Sequence, residues 1–339
     1  MPDHDREALL PLSNNSLKKA PQEDSSTCFK AYIICTMIFL WSGYTLMVRY
    51  TRSTVSSNLL YSSSTVVLVA EIVKLFITLV MYCRETNYHF REFQMKLKTY
   101  YFGAPKEILK MSVPSFAYAL QNNLDFIGLS NLDAGVYQVT AQLKVVTTAL
   151  FMMAFLGRTF SSRRWLAIFM LFLGVAAVQL NSVSSENQNN NENYVLGISA
   201  VLMTCVTAGF AGVYFEKMLK DGGSTPFWIR NMQMYSCGVI SACLGCLAEA
   251  DKISEKGFFF GYNAHVISIV GFLSIGGLYI SLVMKHLDNL YKSFASAISI
   301  IIVVALSFIL FNGYSIGVFF VVGTILVIAA ILLYNSVNE

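Results

Sequence analysis

The stretch AGVYQVTAQLKVVTTALFMMAFL, residues 134–156, is apolar enough and long enough to cross a bilayer, yet it contains Lys144. A lysine at membrane depth costs about 2.5–3.5 kcal/mol on insertion scales, so it normally faces a protein interior or a water-filled cavity and takes a partner. On a helix, Tyr137, Thr140, Ala141, Lys144 and Thr148 fall at i, i+3, i+4, i+7 and i+11, which is one stripe. A cation, an aromatic ring, hydroxyls and a small residue on one stripe read as a wall for an anion with a flat ring. The plainer alternative is a lysine that pairs with a carboxylate and only ties helices together.

The rest of the chain resembles this stretch in character. Of its 339 residues, 55% are hydrophobic and 13% charged, and its mean hydropathy is +0.56. A soluble domain carries about 25% charged residues. Apolar runs of spanning length recur at 29–50, 60–83, 109–130, 134–156, 164–181, 194–217, 226–248, 263–284, 288–311 and 314–334. The third and seventh are the least apolar. Strands of a membrane barrel would alternate over about ten residues, so the expected fold class is an all-α polytopic membrane protein with ten transmembrane helices.

Charge placement orients the chain. With the N-terminus in the cytosol, the tail and the loops after even-numbered spans hold 16 of the Lys and Arg residues, and the opposite side holds four. That is a positive-inside signal, and ten spans then place both termini in the cytosol. Residues 1–28 are polar and have no apolar core. They read as a disordered cytosolic tail without a cleavable signal peptide. SVSSENQNNNEN, 182–193, reads as a polar lumenal linker between two five-helix units, 29–181 and 194–335. The units share a loose pattern. Leu132-Asp133 and Leu287-Asp288 each precede a polar-faced span, followed by Ala149-Leu150 or Ala305-Leu306 and then Ser161 or Ser315. Repeats suit a transporter with its site near the midplane. Gly209, Gly212, Gly276 and Gly277 mark close helix approaches.

Polar residues gather in four groups within spans. Span three has Tyr118, Gln121, Asn122 and Asp125, and span four has Tyr137, Gln138, Thr140, Gln142 and Lys144. Span seven opens with Arg230, Asn231, Gln233 and Tyr235. Spans eight and nine add Tyr279, Ser281, Lys285, Asp288, Asn289, Tyr291, Lys292 and Ser296. Amides and hydroxyls suit a base or sugar edge, rings stack on a base, and two lysines can hold phosphates as point charges. Interhelical hydrogen bonding accounts equally well for any single member. Asp133 and Asp288 serve as well as helix caps as they would as ligands. Glu71 and Lys74, one turn apart in span two, read as an internal ion pair, with a proton-coupling carboxylate as the sharper alternative. The chain has no G-x-x-x-x-G-K-[ST] loop and no H-E-x-x-H, and no nucleophile–base pair is apparent, so neither an ATP-driven pump nor an enzyme is expected. Cys243 and Cys246 read as apolar packing, and no metal or cofactor is expected.

The chain resembles the nucleotide-sugar transporters of the Golgi, the group that carries UDP-galactose, UDP-N-acetylglucosamine and CMP-sialic acid. The resemblance lies in VPSFAYALQNNL (113–124), LSNLDAGVYQVTAQLK (129–144), GFAGVYFEKMLK (209–220), WIRNMQMY (228–235), GFFFGY (257–262) and KHLDNLYKSFA (285–295). It implies two inverted five-helix repeats of the drug/metabolite-transporter kind in a Golgi membrane. It also implies an antiporter exchanging cytosolic nucleotide sugar for lumenal nucleoside monophosphate. By motif, Lys144 and Lys292 resemble the phosphate-binding lysines. Tyr118, Gln121, Asn122, Tyr137, Asn231 and Tyr235 resemble the nucleotide-pocket lining. VVTTALF (145–151) and ASAISIII (295–302) are similar to the UDP-sugar members, whereas NMQMY (231–235) is similar to the CMP-sialic acid members. Ala141, Tyr291 and Ser293 depart from the usual pattern. The expected substrates are therefore UDP-galactose and UDP-N-acetylglucosamine, exchanged for UMP, with CMP-sialic acid/CMP as the alternative. A non-transporting scaffold for Golgi glycosyltransferases is the alternative of another class. The expected partners are these nucleotides and the lipid bilayer, with a homodimer or a glycosyltransferase association left open and no nucleic acid.

Overall fold

The computed structural model describes residues 27–56, 59–132, 137, 140–180, 194–220, 225–310 and 317–336. Most of the N-terminal tail, the 182–193 linker, Asp133, Gln138 and Ser315 lie outside the described residues, as do the side chains of Asn122 and Asp125. Within them, the regular structure is helical. The long helices are α1 (Thr27–Thr54), α2 (Ser63–Glu85), α4 (Pro105–Asn131), α6 (Ser162–Leu180), α7 (Tyr194–Lys220), α8 (Phe227–Ala248), α10 (Ala264–His286), α11 (Asn289–Leu310) and α12 (Val318–Ser336). Shorter helices are α3 (Phe90–Leu97), α5 (Leu143–Leu156) and α9 (Ala250–Lys256).

Seven helices among the described residues are long and apolar enough to span a membrane: α1, α2, α6, α7, α10, α11 and α12. The protein is an α-helical, multi-pass membrane protein. Helices α4 and α8 are equally long, but their amides and charges, Gln121 and Asn122 in one and Arg230, Asn231 and Gln233 in the other, lower their hydropathy. Local chemistry sets several helix ends. Asn263 caps α10 by accepting the Val266 N–H at 3.0 Å. Gly157, at φ +62°, ends α5 in the left-handed region where a Cβ is strained.

The two halves interleave. Helix α1 packs on α10 and α11, α2 on α8 and α10, α4 on α7 and α8, α5 on α7, and α6 on α12. Apart from the short α3, each helix of the first half therefore finds its main neighbours in the second. The α6–α12 crossing is the tightest. A methyl group on Gly174 would come within 2.9 Å of the Gly323 carbonyl oxygen, and one on Gly323 within 2.6 Å of the Gly174 carbonyl oxygen. Small residues let backbones meet where lipid offers no hydrophobic drive to associate. Gly209 likewise sits against Thr147 and Thr148, Gly212 against Asn289, and Gly277 against Lys74. Gly276 is different: an added methyl would make only ordinary contacts at 4.0 Å with Leu40 and Trp41.

Candidate functional site

A cavity of about 870 Å³ lies between the interleaved halves. This is the size of a small-molecule site. Two helical stripes form most of its wall. On α2 the stripe is Ser64, Val67, Glu71 and Lys74; on α8 it is Tyr235, Gly238, Ala242 and Gly245, continued by Glu249 just past the helix end. Both follow helical spacing, so each helix turns one continuous face to the space. Glycine and alanine dominate the α8 stripe, and their missing side chains leave the volume open. Tyr118 on α4, Gly277 and Ser281 on α10, and Lys292 on α11 complete the polar lining. At the Ser63 end the lining residues Ser63, Val67 and Leu244 are exposed. There Glu249 accepts hydroxyl hydrogen bonds from Ser62 at 2.9 Å and Ser64 at 3.0 Å.

The sequence-predicted ion pair in α2 is formed, with Lys74 Nζ 2.6 Å from Glu71 Oε1, and it stands in the cavity wall. Two glycines on neighbouring helices receive it. A methyl on Gly238 would come within 2.6 Å of Glu71 Oε2, and one on Gly277 within 2.8 Å of Lys74 Cδ. The Lys74 ammonium also lies over the Tyr235 ring. The Tyr235 hydroxyl donates to the Gly277 carbonyl at 3.3 Å and shares a 3.1 Å hydrogen bond with Ser281. One carboxylate, one ammonium, one ring and two hydroxyls thus form a connected polar strip. The sequence favours an internal ion pair for Glu71 and Lys74, with a proton-coupling carboxylate as the alternative. Their spacing shows the pair but not the space beside it.

Lys292 lines the cavity, and Lys144 and Glu216 are within electrostatic reach of it. Lys144 itself is exposed, on the first turn of α5. The stripe that Lys144 shares is divided. Tyr137 and Ala141 pack against Val201 and Cys205 of α7, and the Thr148 hydroxyl donates back to the Lys144 carbonyl at 2.7 Å. Thr140 is half-buried, and its carbonyl accepts from the Cys205 thiol at 3.5 Å.

The other expected site residues fall in several places. Tyr118, Tyr235, Ser281 and Lys292 all line the cavity. Gln121 lies one turn beyond Tyr118 on the same face of α4, and its buried Oε1 has no hydrogen-bond partner among the described residues. Asn231, fully buried one turn before Tyr235, donates to the Phe227 carbonyl at 2.9 Å and leaves Oδ1 without such a partner. Tyr279 turns away from the cavity. Its hydroxyl meets that of Tyr32 at 2.9 Å, and its ring joins the α1–α10 contact. It is two positions from Ser281, about 200° around the helix. Asp288 is a helix cap, accepting the Tyr291 N–H at 3.0 Å.

Comparison with known proteins agrees with this architecture. A family model described as nucleotide-sugar transporter matches residues 25–335. UDP-galactose translocator 1 of Caenorhabditis elegans is 62% identical, over 99% of this chain and 97% of its own length. The UDP-N-acetylglucosamine transporter of Rattus norvegicus is 38% identical, over 88% of this chain and 93% of its own. A solved protein crystal structure, only 13% identical, shares the fold with a TM-score of 0.65 over 92% of this chain and 98% of that one. The family match spans the whole described helical body and both relatives align over most of their length, so this chain belongs to the nucleotide-sugar transporter family.

Proposed function

We propose that this protein carries UDP-galactose and UDP-N-acetylglucosamine from the cytosol into the Golgi lumen in exchange for UMP. The observation that carries the reading is Lys292 in the cavity wall with Lys144 in electrostatic reach, one cation from each half. Like charges repel, and a phosphate or diphosphate between them converts that repulsion into two attractions. The Tyr118 and Tyr235 rings offer stacking faces for the base. The Glu71–Lys74 strip, Ser64 and Glu249 offer donors and acceptors to a hydroxyl-rich ligand. The names of the relatives support the UDP-sugar choice.

The transport reading includes ten spans in two inverted repeats, with both termini in the cytosol. Helices α4 and α8 join the seven apolar ones because each puts a polar ring in the cavity wall, Tyr118 on one and Tyr235 on the other, and intramembrane polarity is tolerated beside a cavity. Helix α5, which lies in the apolar sequence run 134–156, makes the tenth. Without an ATP-binding loop, uphill entry runs on the opposing UMP gradient. The test is uptake of labelled nucleotide sugar by proteoliposomes holding the pure protein. Preloading with UMP should speed UDP-galactose uptake several-fold, and CMP much less. Equal stimulation by both would remove the UDP assignment, and none by either would remove exchange.

A further inference from the structure

Lys292 lines the cavity near the start of α11, and two layers of side chains lie around that end of the bundle. The first is apolar. Met111, Phe215, Leu219 and Met284 are buried together, with Met234 and Ile280 packed against them. Phe215, Met234 and Ile280 also line the cavity, and Met111, Leu219 and Met284 stand near the start of α4 and the ends of α7 and α10, so the cluster is the cavity wall on that side. The second layer is polar and gathers on the three-residue corner Leu287, Asp288 and Asn289 between α10 and α11. Arg158, in the α5–α6 loop, donates from Nη1 to Asp288 Oδ2 at 3.3 Å. Glu216 of α7, fully buried, accepts the Asn289 N–H at 2.8 Å and the Lys220 ammonium at 2.7 Å. Lys220 also donates to the Leu287 carbonyl. Gly212 leaves room for the Asn289 side chain to sit against α7.

We propose that these ties are a latch that holds the cytosolic mouth shut while the cavity is open to the lumen. On this proposal Arg158, Glu216, Lys220 and Asp288 govern exchange as positioning residues, without touching substrate. The proposal rests on the transport and orientation readings above. Three features support it. All the ties end on one corner, so freeing that corner frees the start of α11 as a unit. The Arg158 and Lys220 side chains keep 32% and 20% of their exposure, so water can compete for these bonds, unlike a sealed apolar contact. Asp288 and Lys292 are at i and i+4 on α11, so the latch carboxylate and the substrate-facing lysine share one helical turn. A phosphate drawn to Lys292 therefore acts on the same turn that Arg158 holds. Substrate occupancy and release of the latch are coupled through one piece of rigid helix.

Two measurements test this in sealed Golgi vesicles, which present their cytosolic face. The first uses Arg158→Ala and Asp288→Asn; the second substitution keeps a capping oxygen for Tyr291 while removing the charge. A weaker latch raises the fraction of protein open to the cytosol. Apparent affinity scales with the competent fraction, so KM for UDP-galactose should fall about two- to fivefold in each variant. A merely structural lesion would lower yield or kcat without lowering KM. The second joins Arg158→Cys and Asp288→Cys with a short, reducible bis-thiol reagent, each single-cysteine variant serving as control for the native thiols. Uptake should fall below a tenth of the untreated rate and return on reduction. The cross-linked protein, purified, should still be stabilised against heat by UMP. Wild-type uptake by the cross-linked protein, or a KM unchanged or raised in both charge variants, would overturn the latch. Failure of wild-type vesicles to take up UDP-galactose would overturn the transport reading itself, and the latch with it.

Discussion

The ammonium of Lys74 sits 4.8 Å from the centroid of the Tyr235 ring, so a charge from α2 rests on an aromatic face from α8 inside the cavity. A cation over a ring gains from the ring quadrupole, and the gain grows as water is removed. Lys74 therefore has two partners, Tyr235 and Glu71, on opposite sides of the α2–α8 interface.

That arrangement predicts strong non-additivity. Lys74→Met alone leaves the Glu71 carboxylate unpaired in a largely buried site, and breaking such pairs costs about 3–5 kcal/mol. Replacing both, as Glu71→Gln/Lys74→Met, removes both charges and should recover most of the lost stability. Thermal unfolding of the purified variants in detergent checks this. A double variant as unstable as the sum of the two singles would show that the pair does not act as a unit.

Lys292→Ala should cost phosphate binding specifically. Hydrogen bonds to charged groups contribute about 1.5–3 kcal/mol, so UMP affinity should drop roughly tenfold to more than a hundredfold. Uridine, lacking the phosphate, should bind about as before. Lys144→Ala should act in the same direction if the two cations share one anion. Lys292→Arg should rescue poorly, because a planar fork does not replace a compact ammonium in a tight site. Ligand-induced thermal stabilisation with UMP and uridine reads both arms, and a Lys292→Ala protein with unchanged UMP affinity would remove the phosphate role.

Tyr235 separates ring from hydroxyl. Tyr235→Phe keeps the face under Lys74 and loses only the bonds to Ser281 and the Gly277 carbonyl. The expected loss in UMP affinity is modest, on the order of two- to tenfold, in line with one ordinary hydrogen bond. Tyr235→Leu removes the ring as well and should cost more. Equal effects of the two substitutions on UMP titrations would mean that the ring face is not used.

The α6–α12 crossing should tolerate almost no added volume. Gly174→Ala places a methyl within 2.9 Å of both the Gly323 carbonyl oxygen and the Val327 nitrogen, backbone atoms that cannot simply swing away. Overpacking of this kind typically costs about 1–3 kcal/mol. A lower melting temperature should result, with UMP affinity in the surviving protein unchanged, since the crossing does not line the cavity. An unaltered melting temperature would show that the two helices separate easily.

Much of this molecule is legible in one dimension. Runs of apolar residues set the helices, because a chain in lipid must satisfy its backbone internally, and among the described residues seven helices are long and apolar enough to span. The weaker runs at α4 and α8 are weak because they carry the polar residues. Tyr118 and Tyr235 on those helices, with Ser281 and Lys292, stood out as polar groups within apolar spans, and the fold brings all four to one space. The Glu71–Lys74 pair could be read from its spacing of one turn. Its place in the cavity could not, because that depends on Gly238 and Gly277 arriving from two other helices to make room. Tyr279 and Ser281 looked alike in the sequence, yet a rotation of about 200° sends one to α1 and the other to the cavity. Asp288 could be read as a helix cap, but the ties of the Leu287–Asn289 corner to Arg158, Glu216 and Lys220 were invisible for the same reason. Arg158 and Asp288 are 130 residues apart, and periodicity describes only which face a residue shares with its neighbours along one helix. Which faces meet is decided by helix packing, and only the tertiary structure contains it.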